Sequence, residues 1–489
     1  MQRCISIILA TFIVSCGPRR GGDDYDLVIL GGRVMDPETE LDANRNVGIV
    51  DGEIVAISDR AMSGRDTVDA SGCVVAPGFI DLHTHGQDPV SFRLQAADGV
   101  TTALELEIGV YPVADWLAAR AGEALINYGA TVSHPAARVK LLTGVDIGHF
   151  AVLPQGSELM RVWSGDHIYT ELDSAQIADL SALISRGIDE GGLGIGFGIT
   201  YTPGASRVEI LRLFELAALR GVPAYVHLRG ANSGGTLGAF QEVIADAAAT
   251  GASVHIVHMN SSADEMAKIA LQLIRGARER GLDVTTEAYP YTASSTLIES
   301  ALFDSWEGAD DSTYHRLQWA GTTERLTAAT FRKYRAQGGW VVIHGRNETT
   351  NEWIVAQPDV MVASDGIPFL YVAAHPRGAG TFSRVLGHYV RERAALSLMQ
   401  ALAKMTIMPA KRLEGTAPSM ARKGRVQVGA DADLTVFDPA SIIDLATYDS
   451  PDTPSGGIRY VMVGGTLVVR DGNVVDGVFP GSAVTSIGQ

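Results

Sequence analysis

Two histidines separated by a single residue close an apolar run in GFIDLHTHGQDPV, residues 78–90. Along an extended chain, residues two apart project to the same face, so His83 and His85 present two imidazoles from one wall. Neutral imidazoles placed in this way chelate a divalent ion. Three more donors end strand-like runs further on: His227 in YVHLR, His258 in HIVHM and Asp365 in VASDG. His227 and His258 are 31 residues apart, the length of one βα unit. A lone histidine is more often a satisfied polar residue than a ligand, so what counts here is that order and strand position agree. Five nitrogen and oxygen donors from four strand ends suit zinc or a similar ion, which in an open site makes hydroxide available near neutral pH.

The elements that must position these side chains follow from periodicity. From about residue 76 to about 413, β-rich runs alternate with amphipathic or alanine-rich stretches, the pattern of βα repeats. Strands are read at VVAPGFIDLH, VTTALELE, RVKLLTGV, LGIGFGIT, PAYVHL, SVHIVHM, DVTTEAYP and VMVASDG. Eight parallel strands, each followed by a helix, close into a TIM-like (β/α)8 barrel with its chemistry at the strands' C-terminal ends. This assignment puts Lys140 on the third strand in a structural role. The stretch at about 292–340 is too long for a connector and is read as an insertion over the barrel mouth, a lid. Glycine-rich GGLGIGFGITYTPG lacks the Gly-x-Gly-x-x-Gly order that opens a helix, so it reads as a closely packed barrel strand rather than a nucleotide loop. Residues 25–75 and 414–480 share a hairpin idiom, β-branched runs broken by Asp-Gly or Gly-Gly. Each is small for a stable core, so both ends are expected to form one β-sandwich into which the barrel is inserted, an α/β protein overall.

The 489 residues, 46% hydrophobic, are ample for such a core. A formal charge of −17 with no long basic run argues against nucleic-acid binding. The first sixteen residues, MQRCISIILATFIVSC, carry one arginine and then an apolar stretch too short to span a bilayer. Ile13-Val14-Ser15-Cys16 resembles a bacterial lipobox, which implies cleavage before Cys16 and acylation of its thiol. Residues 17–24 then serve as a tether. The expectation is an exported lipoprotein, held to a membrane by its lipid alone and facing the periplasm or the cell exterior. With Cys4 removed and Cys16 lipidated, Cys73 is the one thiol left, so no intrachain disulfide is expected.

In order along the chain, VVAPGFIDLHTH, the strand-end histidines, YPYTA, ASDG, HPRGAGTFSRVLGHYVRE, KMTIMPAKRL and GADADLTVFDP resemble the amidohydrolase superfamily, and within it the D-aminoacylase branch, the N-acyl-D-amino-acid deacylases. The resemblance runs from about Asp26 to about Asp471. It implies a metal-dependent hydrolase that cuts the linear amide of an N-acylated D-amino acid by attack of metal-bound hydroxide, with one or two divalent ions and with Asp365 as proton shuttle.

Two departures from the branch pattern matter. Its members usually carry a bridging cysteine just after the second strand, and other superfamily members use a carboxylated lysine on the fourth. Here the second strand ends TTALELEIGVYP, without cysteine, and the fourth has no lysine. A carboxylate can bridge two ions as a thiolate does, so Glu107 is the expected bridge, with Glu105 as its alternative and a salt-bridged glutamate above a single ion as the bland reading. Branch members also follow the strand-six histidine with a histidine and a lysine near the substrate carboxylate; Met259 and Asn260 stand there instead. Arg377 matches a family arginine that pairs with that carboxylate, and Tyr289 is a candidate hydrogen-bond donor. Rival activities are a dipeptidase, a cyclic-amide hydrolase of dihydroorotase or hydantoinase type, and an inactive lipid-anchored binding protein. Nothing in the sequence sets the oligomeric state.

Overall fold

The structure is a computed structural model in which residues 25–149, 163–230, 235–370 and 372–486 are described. The leader, lipobox and tether expectations fall on residues 1–24, outside the described residues.

Eight parallel strands follow one another in chain order around a barrel: Phe79–Asp81, Val100–Val110, Asn127–Ser133, Ile195–Gly198, Ala224–His227, Val254–Ile256, Val284–Ala288 and Met361–Val362. All are short apart from the second, and nearly every residue in them is buried, as expected of parallel strands covered by helices. The eighth strand meets the first just beyond both strands' ends. There Asp365 N donates to His83 O at 2.7 Å and His85 N to Gly366 O at 2.7 Å. The glycine-rich fourth strand is explained by crowding, since a Cβ on Gly196 would lie 2.4 Å from Thr131 Oγ1 and 2.6 Å from Glu107 O.

The third strand differs from the sequence reading. It is Asn127–Ser133, and the first six residues of RVKLLTGV, 138–143, belong to the helix His134–Thr143. Ser133 caps that helix by accepting from Ala136 N, proline occupies its first turn, and Gly144 at φ +79 ends it, three local signals that outweigh a β-branched run. Lys140 is therefore a last-turn helix residue that pairs with Asp146 at 2.7 Å near the surface.

Between the seventh and eighth barrel strands, Ser294–Leu297, Leu317–Trp319 and Trp340–Ile343 form a separate antiparallel sheet. Phe303, Tyr314, Phe331 and Val341 give it its own small core. Away from the barrel, the two chain ends share one nine-stranded sheet. Val74–Pro77 pairs with Leu434–Phe437 on one side and with Tyr25–Asp36 on the other. Side chains from both chain ends, among them Leu27, Val34, Ile49, Leu434 and Met462, pack into one apolar cluster, so the sheet curls over its own core.

Candidate metal centre

Strand ends and closure together bring six side chains to one place. His83 and His85 follow the first barrel strand, His227 ends the fifth, His258 lies two residues past the sixth and Asp365 three past the eighth. His258 and Asp365 sit at φ +35 and φ +52, left-handed backbone that few non-glycine residues adopt and that clusters at functional sites. Glu107 stands between the two histidine pairs. Its Oε2 is 3.2 Å from both His83 Nε2 and His85 Nε2, and its Oε1 is 2.7 Å from both His227 Nδ1 and His258 Nε2. Asp365 Oδ1 completes the first group at 3.4 Å from His83 Nε2 and 3.5 Å from His85 Nε2.

Glu105, the alternative bridge, lies behind the centre. It points at the far nitrogen of His85, Nδ1 at 2.7 Å, and at His149 Nε2 at 2.6 Å. Glu287, which the sequence reading does not single out, does the same for His83, with Oε1 2.9 Å from Nδ1, and also accepts the His258 backbone N–H at 2.6 Å. The only sequence cue to it is a glutamate near the end of a barrel strand.

Charge is arranged to match. Burial pushes His83 and His85 down, but the carboxylates around them, Glu107 and Glu287 for His83 and Glu105 for His85, more than reverse this and hold both well above the ordinary imidazole range. Burial prevails at His227, which is lowered. Burial opposes ionisation of Glu107 and Asp365, yet His83 and His227 hold Glu107 well below the usual carboxylate range, and Arg377 with His83 holds Asp365 below it. Glu105 is drawn down to about 2, with His85 and His149 overriding the effect of burial.

These residues fit a divalent cation. Two groups, His83, His85, Glu107 and Asp365 on one side and Glu107, His227 and His258 on the other, bring their ligand atoms within 4.8 Å of one another and share Glu107. The Nε2 of His83 is buried and makes no hydrogen bond, although it faces two carboxylates. A cluster of imidazoles and carboxylates in that state accepts a metal by giving up protons.

A cavity of about 560 Å³ opens onto His85, Glu107, His227, His258 and Asp365 and is walled on one side by the inserted sheet. Arg377 and Tyr289 lie just beneath that wall rather than on it. Arg377 is 1% exposed, pairs with Asp365 at 2.8 Å and stacks 4.8 Å from the Tyr289 ring centre. Asn260 is turned into structure, donating to Tyr289 O at 2.9 Å and Asn351 Oδ1 at 2.8 Å, and Met259 is fully buried. Arg346, another residue not anticipated from sequence, does line the cavity and donates to Tyr289 Oη at 2.7 Å.

Comparison with known proteins agrees with this architecture. The chain is 29% identical to the N-acyl-D-glutamate deacylase of Alcaligenes xylosoxydans xylosoxydans, across 91% of this chain and 94% of that one. It is also 29% identical to the D-aminoacylase of the same organism, across 91% and 95%. Among solved structures, N-acyl-D-glutamate deacylase from Bordetella bronchiseptica, in complex with zinc and a phosphonate mimic of the tetrahedral intermediate, superposes with a TM-score of 0.78 at 28% identity, covering 95% of this chain and all of that one. The pattern of the Amidohydrolase family matches residues 66–138 and 181–469, and with barrel, curled terminal sheet and strand-end histidines in place, this chain belongs to that family, in its D-aminoacylase branch.

Proposed function

We propose that the protein is a metal-dependent hydrolase that deacylates N-acyl-D-amino acids. The observation that carries this reading is Glu107, whose two oxygens face two separate histidine pairs. His83, His85, Glu107 and Asp365 would hold one divalent ion and Glu107, His227 and His258 a second, with zinc the preferred ion. A bound ion of this kind supplies Lewis acidity, lowering the pKa of water and polarising an amide carbonyl.

The chain's own residues do the rest. Arg377 keeps Asp365 ionised, so its carboxylate is ready to take a proton from the attacking water and hand it to the leaving amine. Arg377, which lies beneath the cavity wall, retains Nε and Nη1 without hydrogen-bond partners beside the Tyr289 ring, so its contact in this arrangement is with Asp365 and not with the open cavity. The inserted sheet shields this region from solvent. The segment MQRCISIILATFIVSC supports an exported, lipid-anchored enzyme, which cell fractionation of wild type and Cys16→Ser would test.

The decisive experiment measures metal per chain and turnover of N-acetyl-D- and N-acetyl-L-amino acids on one preparation lacking residues 1–16. Metal with turnover confined to D-substrates is the expected result. Turnover of dihydroorotate or a hydantoin but of no N-acyl-D-amino acid would transfer the protein to the cyclic-amide hydrolases, and absence of both metal and turnover would make it a binding protein.

A further inference from the structure

On the His85 side, the centre continues one group further than the candidate ligands. Glu105 Oε2 lies 2.7 Å from His85 Nδ1 and 2.6 Å from His149 Nε2, so a single carboxylate oxygen joins a ligand imidazole to a second, more distant one. All three side chains are buried. An ionised carboxylate only accepts, so both ring nitrogens turn an N–H toward it. For His85 that leaves Nε2, the nitrogen facing Glu107 and Asp365, as the atom able to bind an ion.

The other oxygen of Glu105, Oε1, is met at longer range by Ile108 N at 3.3 Å and Gly109 N at 3.4 Å. His149 is the short second donor that keeps the carboxylate turned toward His85. Because both imidazoles share Oε2, a rotation that releases one loosens the other. His149 is itself fixed from the strand that carries Glu105. Tyr111, next after Val100–Val110, donates its N–H to Gly148 O at 3.2 Å, and Lys140 pins the same loop through Asp146 at 2.7 Å. Glu287, behind His83, is arranged otherwise, its Oε1 meeting one imidazole and the His258 backbone N–H. We propose that His149 is a positioning residue of the metal centre: through Glu105 it locks His85 in the tautomer and orientation that bind the ion shared with His83, Glu107 and Asp365, and it leaves the ion of His227 and His258 untouched. This rests on the metal-dependent reading above and goes further, because it assigns a role to a residue outside the two ligand groups that share Glu107.

The test titrates the full chain, freed of metal with a chelator, with zinc and with cobalt(II), in wild type, His149→Leu and His149→Gln, and assays the same preparations on N-acetyl-D-amino acids. Wild type is expected to take up two ions of distinguishable affinity. His149→Leu should weaken one of them by about 10- to 100-fold and shift the visible absorption of cobalt bound there, with the other ion's affinity unchanged. His149→Gln, whose amide N–H still reaches Glu105, should restore most of that loss. An unchanged affinity in His149→Leu, equal weakening of both ions, or a loss in His149→Gln as large as in His149→Leu overturns the inference. So does a third ion lost with His149, which would make that residue a ligand. Wild type that binds metal but turns over no N-acetyl-D-amino acid removes the deacylase reading alone, and wild type that binds no ion removes both. Should His149→Leu lose its folding transition, His149→Asn, polar but too short to reach Glu105, takes its place under the same outcomes.

Discussion

The two histidine pairs that flank Glu107 differ in what stands behind them. On the first barrel strand, His83 and His85 each have a buried carboxylate on the far ring nitrogen, Glu287 and Glu105. At the ends of the fifth and sixth strands, His227 and His258 stand 3.1 Å apart, and behind His258, among the described residues, are the hydroxyls of Ser262 at 3.0 Å and Ser261 at 3.2 Å. Side-chain exposure does not follow that division: His83 and His258 are at 1% and 3%, His85 at 6%, and His227 alone rises to 16%. A carboxylate behind a ligating imidazole fixes its tautomer and orientation and makes it more basic, whereas a hydroxyl mainly orients it. The first pair is thus built into a charged framework, whereas hydroxyls stand behind His258.

The largest effect should come from Glu107→Ala, which removes what the two pairs share. Turnover should fall by more than ~10³-fold, and elemental analysis should show metal lost from both sides rather than one. Asp365→Asn should cost about 10²- to 10⁴-fold in kcat, with most metal retained because the histidines stay in place. Retained turnover in that variant would remove the aspartate from proton transfer.

Next come the backing groups, where the asymmetry between the pairs is most open to disproof. Glu287→Gln and Glu105→Gln should each weaken metal affinity or turnover by about 10- to 100-fold. Ser262→Ala, behind the second pair, should cost less than about tenfold. If the serine variant matched the glutamate variants in a metal titration, the asymmetry would have no energetic content.

The smallest effect lies outside both pairs and serves as their control. Glu38 links the amino-terminal hairpin to the carboxy-terminal half through Arg425 and Lys411, and Arg425 first among these neighbours draws it down to about 2. A depressed carboxylate stabilises the fold above its unfolded value near 4.5, and that contribution drains away as pH falls from there toward 2. Glu38→Gln should therefore lower the thermal midpoint at pH 7, lose that difference as the pH is taken toward 2, and leave metal content unchanged.

How far the sequence can be read depends on whether a feature is local. Seven of the eight barrel strands are legible because short apolar runs between helical stretches are a local pattern. The third is not, because RVKLLTGV carries β-branched residues while the helix's N-cap, Ser133, lies five residues before the run and its terminating Gly144 is hidden inside it. The hairpin idiom shared by the two chain ends is legible too, although the pairing of Val74–Pro77 with Leu434–Phe437 that joins them spans most of the chain. Glu287 and Arg346 leave little trace, since each matters only through a partner far away in sequence, His83 and Tyr289 respectively.

By itself the sequence determined the donor types, the facing of His83 and His85, and the repeat that sets candidate donors at strand ends, because strand alternation and βα length are encoded residue by residue. Only the tertiary structure places Glu107, and not Glu105, between the two histidine pairs. Both share a strand face, but strand register sets Glu105 beside His83 in a bridge and leaves Glu107 two residues nearer the mouth, between the pairs. It likewise brought Asp365 to His83, through hydrogen bonds that close the first strand on the eighth, since convergence in space depends on how strands are staggered around a barrel and no local stretch carries that information.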